Sequence, residues 1–163
     1  MAESRLKAYG LAAAVFLIDR WTKSFIEAHV SAFDVHTVIP GFFDIVHSQN
    51  RGVAFGLMNE STASWRTSVL IVFSAAALLL VAGLLWRAAR FDRWTVTGLA
   101  LVLGGAAGNL FDRVMWGRVT DFLEFYVGNL HWPTFNVADS CIVIGSALLL
   151  LELLKTRRQP AGA

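Results

Sequence analysis

Apolar residues fall along this chain in four long runs, separated by stretches that are polar and rich in turn formers. The runs lie near Ala8–Ala28, Val69–Trp86, Val96–Phe111 and Val137–Leu154. Crossing roughly 30 Å of hydrocarbon takes about 20 apolar residues, so each run is long enough to be considered a membrane span. The stretches between them read differently. Val35-His36-Thr37-Val38-Ile39 and Phe42-Phe43-Asp44-Ile45-Val46 flank Pro40-Gly41, and β-formers on both sides of a Pro-Gly turn predict a short hairpin. Asn50-Arg51-Gly52-Val53-Ala54-Phe55-Gly56 follows, where two glycines and an asparagine permit tight turns or close backbone approach to a ligand. Turn chemistry alone would also explain them. Residues 121–132 set Phe122, Phe125 and Tyr126 beside Glu124 and Asn129, a mixture that predicts a short helix lying in the membrane interface. The expected fold is an all-α integral membrane protein of one domain, 1–163, with four transmembrane helices, a small extracytoplasmic β-hairpin or sheet and a short interfacial helix. A flexible tail is expected only after Arg158.

Composition supports the membrane setting. Of 163 residues, 56% are hydrophobic and the mean hydropathy is +0.56, more apolar surface than a soluble core of this size would bury. Basic residues orient the spans. Arg5 and Lys7 precede the first, Arg87, Arg90 and Arg93 join the second to the third, and Lys155, Arg157 and Arg158 follow the fourth. All three clusters fall on one side of a four-span arrangement, which the positive-inside rule makes the cytoplasm. Both termini are then cytoplasmic, and connections 30–68 and 112–136 face outward. Trp65, Trp86, Trp94, Trp116 and Trp132 sit close to span ends, as indoles anchoring at the lipid–water boundary do. The first run resembles a secretory signal, but Asp19-Arg20-Trp21-Thr22-Lys23 follows it in place of a small-x-small cleavage site, so it is expected to be retained. Asp19 and Lys23 stand at i, i+4 with the acid first, the favourable order for a structural helical pair.

Against this background two carboxylates stand out. Asp121 and Asp139 flank the entry to the last span, with Asn109, Asp112 and Arg113 before the first and Asn136 before the second. Carrying a carboxylate to the bilayer centre costs roughly 2.5–3.5 kcal/mol, less near the interface, so ionisable groups at membrane depth are usually functional or tightly paired. Two carboxyls held within a few ångströms resist ionising together, which leaves one base and one acid at neutral pH. The base activates a water against a peptide carbonyl, and the acid protonates the leaving nitrogen. Helix capping explains Asn136 and Asp139 about as well as catalysis does, since Asn136 is a good N-cap and an acid three residues on suits the positive helix end. Capping does not explain Asp121. Other chemistries lack their motifs. There is no His-Glu-x-x-His, His29, His36, His47 and His131 show no zinc-ligand spacing, and neither Gly-x-Ser-x-Gly nor a phosphate-cradling loop occurs. Cys141 is alone, which forbids an intramolecular disulfide. A dyad of Ser140 or Ser48 with Lys23 stays open on sequence alone.

Four blocks in order, Asn50-Arg51-Gly52-Val53-Ala54-Phe55-Gly56, Gly104-Gly105-Ala106-Ala107-Gly108-Asn109-Leu110-Phe111-Asp112-Arg113, Gly117-Arg118-Val119-Thr120-Asp121-Phe122 and Phe135-Asn136-Val137-Ala138-Asp139, resemble the signature of the lipoprotein signal peptidase (signal peptidase II) family. The resemblance runs nearly end to end and includes Asp19 and Lys23. It implies an aspartyl endopeptidase of the bacterial inner membrane that removes a prolipoprotein signal peptide just before a diacylglyceryl-modified cysteine. By that resemblance Asp121 and Asp139 are the catalytic pair, Asn50, Gly52, Asn109, Arg113 and Asn136 bind substrate or support the site, and Asp19 and Lys23 support the structure. The implied partners are the prolipoprotein and membrane lipids, without nucleic acid, metal or cofactor, and the protein is expected to be a monomer with its active site at the periplasmic face. Val53 and Thr120 depart from the family's usual alanine and aliphatic residue. Two rivals use the same residues. A small proton- or ion-coupled transporter would want polar groups spread through the membrane depth, and a scaffold would use both aspartates only for packing or capping.

Overall fold

A computed structural model describes residues 2–52 and 63–158. The glycine-rich continuation 53–56 and the tail 159–163 lie outside the described residues. Four helices carry the chain: α1 (Ala2–His29), α2 (Ala63–Leu85), α3 (Arg93–Trp116) and α4 (Val137–Arg158). Each contains one of the four apolar runs. Thr67–Leu85, Arg93–Trp116 and Val137–Lys155 are long and apolar enough to cross a membrane. α1 differs in composition. At 28 residues and about 1.5 Å per residue it is long enough, but Asp19, Arg20 and Lys23 interrupt its apolar run, and two of these are turned fully inward.

α3 lies at the centre, packed on α1, α2 and α4. Asp92 caps its start by accepting from the backbone N–H groups of Trp94 at 2.8 Å and Thr95 at 3.0 Å, so the chain can leave the Ala88–Arg90 turn and re-enter a helix without orphaned donors. Gly98 and Gly145 let α3 and α4 touch backbone to backbone, since a methyl on Gly98 would stand 2.8 Å from the Gly145 carbonyl oxygen. Ala8, Ala12, Leu85, Leu99, Ala100 and Leu103 form the core at one end of the bundle, while Phe73, Leu79, Leu80, Val143 and Leu150 point outward, as expected of side chains facing lipid tails.

The expected hairpin is present and belongs to something larger. β1 (Val35–Ile39), β2 (Phe43–Asn50), β3 (Val119–Val127) and β4 (Leu130–His131) form one antiparallel sheet in the order β1-β2-β3-β4. The interfacial helix expected over 121–132 is therefore a correction: that segment is β3, its turn and β4. Val119, Thr120, Phe122, Phe125, Tyr126 and Val127 are β-branched or aromatic, residues that fit a pleated surface, and β2 supplies the partner strand that makes extension favourable. The all-α class is corrected with it, to four helices and a four-stranded sheet. Phe135 returns beside β3, donating its N–H to Leu123 and accepting from Phe122 and Leu123 at 2.9–3.0 Å. This staple sets the start of α4 against the middle of β3.

Candidate active site

Asp121 lies in β3 opposite Ser48 of β2, while Asp139 lies in the first turn of α4, and the Phe135 staple brings the two elements together. Asn136 then links both carboxylates. Its side-chain amide donates to Asp121 Oδ1 at 2.7 Å. Its backbone N–H donates to Asp139 Oδ2 at 3.2 Å, and its Oδ1 accepts from the Asp139 N–H at 2.9 Å. That reciprocal arrangement is a capping box, so the capping reading of Asn136 and Asp139 is correct as far as it goes. The same asparagine also reaches the strand aspartate, which capping does not require.

Each carboxylate has a second amide. Asn50 donates to Asp121 Oδ2 at 3.0 Å and accepts from the Gly52 N–H at 2.8 Å. Gly52 has φ +80, the left-handed region where a Cβ is strained, and this closes the turn onto Asn50. Asn109 donates to Asp139 Oδ1 at 2.7 Å. Its own Oδ1 accepts from Lys23 Nζ at 2.9 Å and from the Asn136 amide at 3.3 Å, which determines the orientation of its amide. Arg113 shares the predicted helical face and, among the described residues, donates to the Asn109 backbone carbonyl at 3.3 Å and to neither carboxylate.

Beneath this layer, Lys23 and Asp19 pair at 2.8 Å with both side chains fully buried. The pair is one part of a cluster. Lys23 also meets Asp112 at 2.7 Å, Arg20 meets Asp112 on its other oxygen, and Asp19 accepts from the Ala138 N–H at 2.9 Å. Asp19 thus caps α4 one position away from Asp139. The role of Asp112 and Arg20 was not drawn from the sequence. Asp112 is three residues beyond Asn109 and so shares its helical face, a spacing that could have signalled it.

Asp121 is 2% exposed. Burial pushes its carboxyl up to about 6, and the neighbouring Asp139 charge adds to the rise, against the hydrogen bonds from Asn50 and Asn136 and the Lys23 ammonium. Asp139 is half-buried and opens on a groove of about 430 Å³ lined by Trp132, Pro133, Phe135, Ser140, Val143 and Ile144. Among the described residues Lys23 is bonded to Asn109, Asp19 and Asp112, and neither Ser48 nor Ser140 forms a dyad with it. Among the described residues no three His, Cys, Asp or Glu side chains are grouped as a metal would need. The arrangement offers a proton-holding carboxyl on a strand, a second carboxylate at a helix start, and an apolar groove that opens beside the second.

A family model described as signal peptidase (SPase) II matches residues 11–155. The lipoprotein signal peptidase of Solibacter usitatus (strain Ellin6076) is 58% identical over 162 residues, covering 99% of both chains. That of Oleidesulfovibrio alaskensis is 40% identical over 147 residues, covering 90% of this chain and 94% of its own. A solved bacterial membrane enzyme, determined by the in meso method at 2.3 Å resolution, is 26% identical, with a TM-score of 0.81 and coverage of 96% of this chain and 94% of its own.

Proposed function

The chain belongs to the signal peptidase II family, and from that premise we propose that Asp121 and Asp139 are its catalytic pair, cleaving a prolipoprotein signal peptide just before a diacylglyceryl-modified cysteine. The observation that carries this reading is Asn136, bonded at once to a carboxylate oxygen of Asp121 and to one of Asp139. A lone cap would need only the second.

In this mechanism Asp121 holds the proton. Burial raises its carboxyl to about 6, so it keeps its proton to higher pH than an ordinary carboxyl does. Asp139, held by Asn109 and by the Asn136 N–H, is the base. It takes a proton from water as that water attacks the scissile carbonyl, while Asp121 hydrogen-bonds the carbonyl oxygen and then delivers its proton to the leaving nitrogen. Asn50, Gly52, Asn109, Arg113 and Asn136 hold the pair and the substrate backbone, and Asp19 and Lys23 hold the helix ends beneath them. The groove beside Asp139 has the apolar lining that an acyl chain or an apolar signal segment requires.

The setting proposed is a single domain of four spans in the inner membrane, α1 included, with both termini cytoplasmic and the site at the periplasmic face; the protein works as a monomer. The apolar outward faces and the basic Arg87–Arg93 connection support this. A transporter is not favoured, because the buried ionisable groups gather at one end of the bundle around the aspartates instead of lining a path through it. The test is turnover of a diacylglyceryl-modified precursor and its unmodified counterpart by purified protein in detergent. Cleavage of the modified precursor is expected, lost in Asp121→Asn and in Asp139→Asn by about 10³-fold or more, with melting unchanged. Equal turnover of both precursors, or full activity in either variant, refutes the assignment.

A further inference from the structure

A second cavity stands apart from the aspartates. It lies at the other end of the bundle, a groove of about 590 Å³ between the first turns of α1 and α3. That volume is in the range of ligand sites. Its lining divides by chemistry. Leu11, Phe91, Val96 and the buried Ala8 and Ala100 form an apolar wall, while Lys7 and Arg93 stand among the lining residues with Glu3 as the one acid.

From this division we infer that the groove holds one anionic glycerophospholipid, its phosphodiester at Lys7 and Arg93 and an acyl chain along Leu11, Val96 and Ala100. Lys7 pairs with Glu3 at 2.6 Å, but both side chains are more than three-quarters exposed, so the pair is held loosely and a phosphate displaces the carboxylate at little cost. Arg93 lies over the Trp94 ring at 4.9 Å, a contact made without a carboxylate partner among the described residues, and a guanidinium has five N–H donors with which to bond phosphate. The surrounding field has the right sign. Arg5, over the Trp86 ring at 5.0 Å, and the exposed Arg87 and Arg90 add cations at this end, while Asp92 is engaged as the α3 cap. Basic pockets between the ends of membrane helices take anionic head groups for this reason. A free inorganic anion would leave the apolar wall unfilled, and a zwitterionic lipid would gain less from the cations.

The test uses the full-length enzyme, purified in detergent and titrated with dioleoyl-phosphatidylglycerol or dioleoyl-phosphatidylcholine, with bound lipid read by native mass spectrometry. Phosphatidylglycerol is expected to bind about tenfold more tightly or better. Lys7→Gln and Arg93→Gln each reduce that preference about fivefold, and Val96→Trp, which fills the groove, weakens both lipids. Precursor cleavage stays at the wild-type rate in all three, since none touches the aspartates. Equal binding of the two lipids by the wild type, an unchanged preference in both charge variants, or full displacement of phosphatidylglycerol by millimolar inorganic phosphate overturns the assignment. None of these readouts depends on which residues cleave the precursor.

Discussion

The two ends of α3 are built on opposite principles. From Gly98 to Leu103 the helix packs on small and aliphatic side chains, with Leu85, Leu99 and Ala100 almost wholly buried. From Asn109 to Arg113 it packs on ions and amides, with Lys23, Asp19, Asp112 and Asn136 as inaccessible as any leucine. At the apolar end each contact is interchangeable with others of similar size. At the polar end each group has named partners, and the loss of one leaves charge or hydrogen-bonding capacity stranded. The lesson is that burial is used here for two purposes: at one end to exclude water, at the other to hold carboxylates in fixed positions.

The largest expected break comes from Lys23→Met. It leaves Asp19 and Asp112 buried without the ammonium that pairs them, a loss of about 3–5 kcal/mol, whereas Leu103→Ala at the other end should cost about 2–4 kcal/mol as an ordinary cavity. Thermal unfolding in detergent compares them. The comparison is sharpened by Lys23→Met with Asp19→Asn, which should recover part of the loss because the stranded charge is gone, whereas Asp112 keeps Arg20. No recovery would mean the cluster acts by packing alone.

Next is Asn136→Ala, which removes the amide bond to Asp121 and the Oδ1 cap of α4 together. Stability should fall by about 2–3 kcal/mol, since the cap is lost and the buried acceptors on Asp121 and Asn109 lose a donor, while precursor cleavage should fall about 100-fold as the pair loses its common tether. A drop in stability without a drop in rate would reduce Asn136 to a cap.

How much of this was legible beforehand depends on the range of the interactions. The four helices follow from apolar runs, a local signal, and the hairpin from Pro40-Gly41 between β-formers. The strand identity of 119–127 was not legible, because aromatic and polar residues there suit an interfacial helix as well as a strand, and what decides is pairing with β2, about 70–80 residues earlier. Asp19 and Lys23 were readable as a pair from their i, i+4 spacing, yet their contacts with Asp112 and the Ala138 N–H come from helix packing. Asp121 and Asp139 drew notice as carboxylates without a membrane rationale, and only the staple at Phe135 explains how a strand and a helix bring them to one asparagine.

A smaller effect is expected in pH dependence. Burial raises Asp121 to about 6 from its ordinary value of 3.8, so between these values the folded protein holds a proton that the unfolded chain has released. Stability from this group is therefore complete below about pH 4 and declines as pH rises through 6. Cleavage should decline on the alkaline side as the proton is lost. Asn50 bonds the ionised form and pulls the value down, so Asn50→Leu should move the alkaline limb of the pH–rate profile upward, whatever it does to the maximal rate. A limb that stays in place would mean that another group sets it.

The smallest effect is expected next door to Asp121, where proximity might suggest the reverse. Thr120 donates to Glu27 at 2.5 Å, tying β3 to α1, and it occupies a position where the family resemblance leads one to expect an aliphatic residue. Its hydroxyl differs from the amides of the network in one respect: Glu27 is exposed, so water replaces the lost bond. The position of Asp121 does not rest on that hydroxyl. It rests on the backbone ladder that pairs Ser48 with Asp121 and Gln49 with Thr120, and on the Phe135 staple, neither of which involves the Thr120 side chain. Thr120→Val keeps the β-branched shape and removes only the oxygen. It should change stability by about 1 kcal/mol or less and cleavage by no more than a few-fold. A 100-fold loss would show that α1 holds the strand in register through this one bond, and the line between replaceable and irreplaceable contacts would then have to be redrawn inside β3 itself.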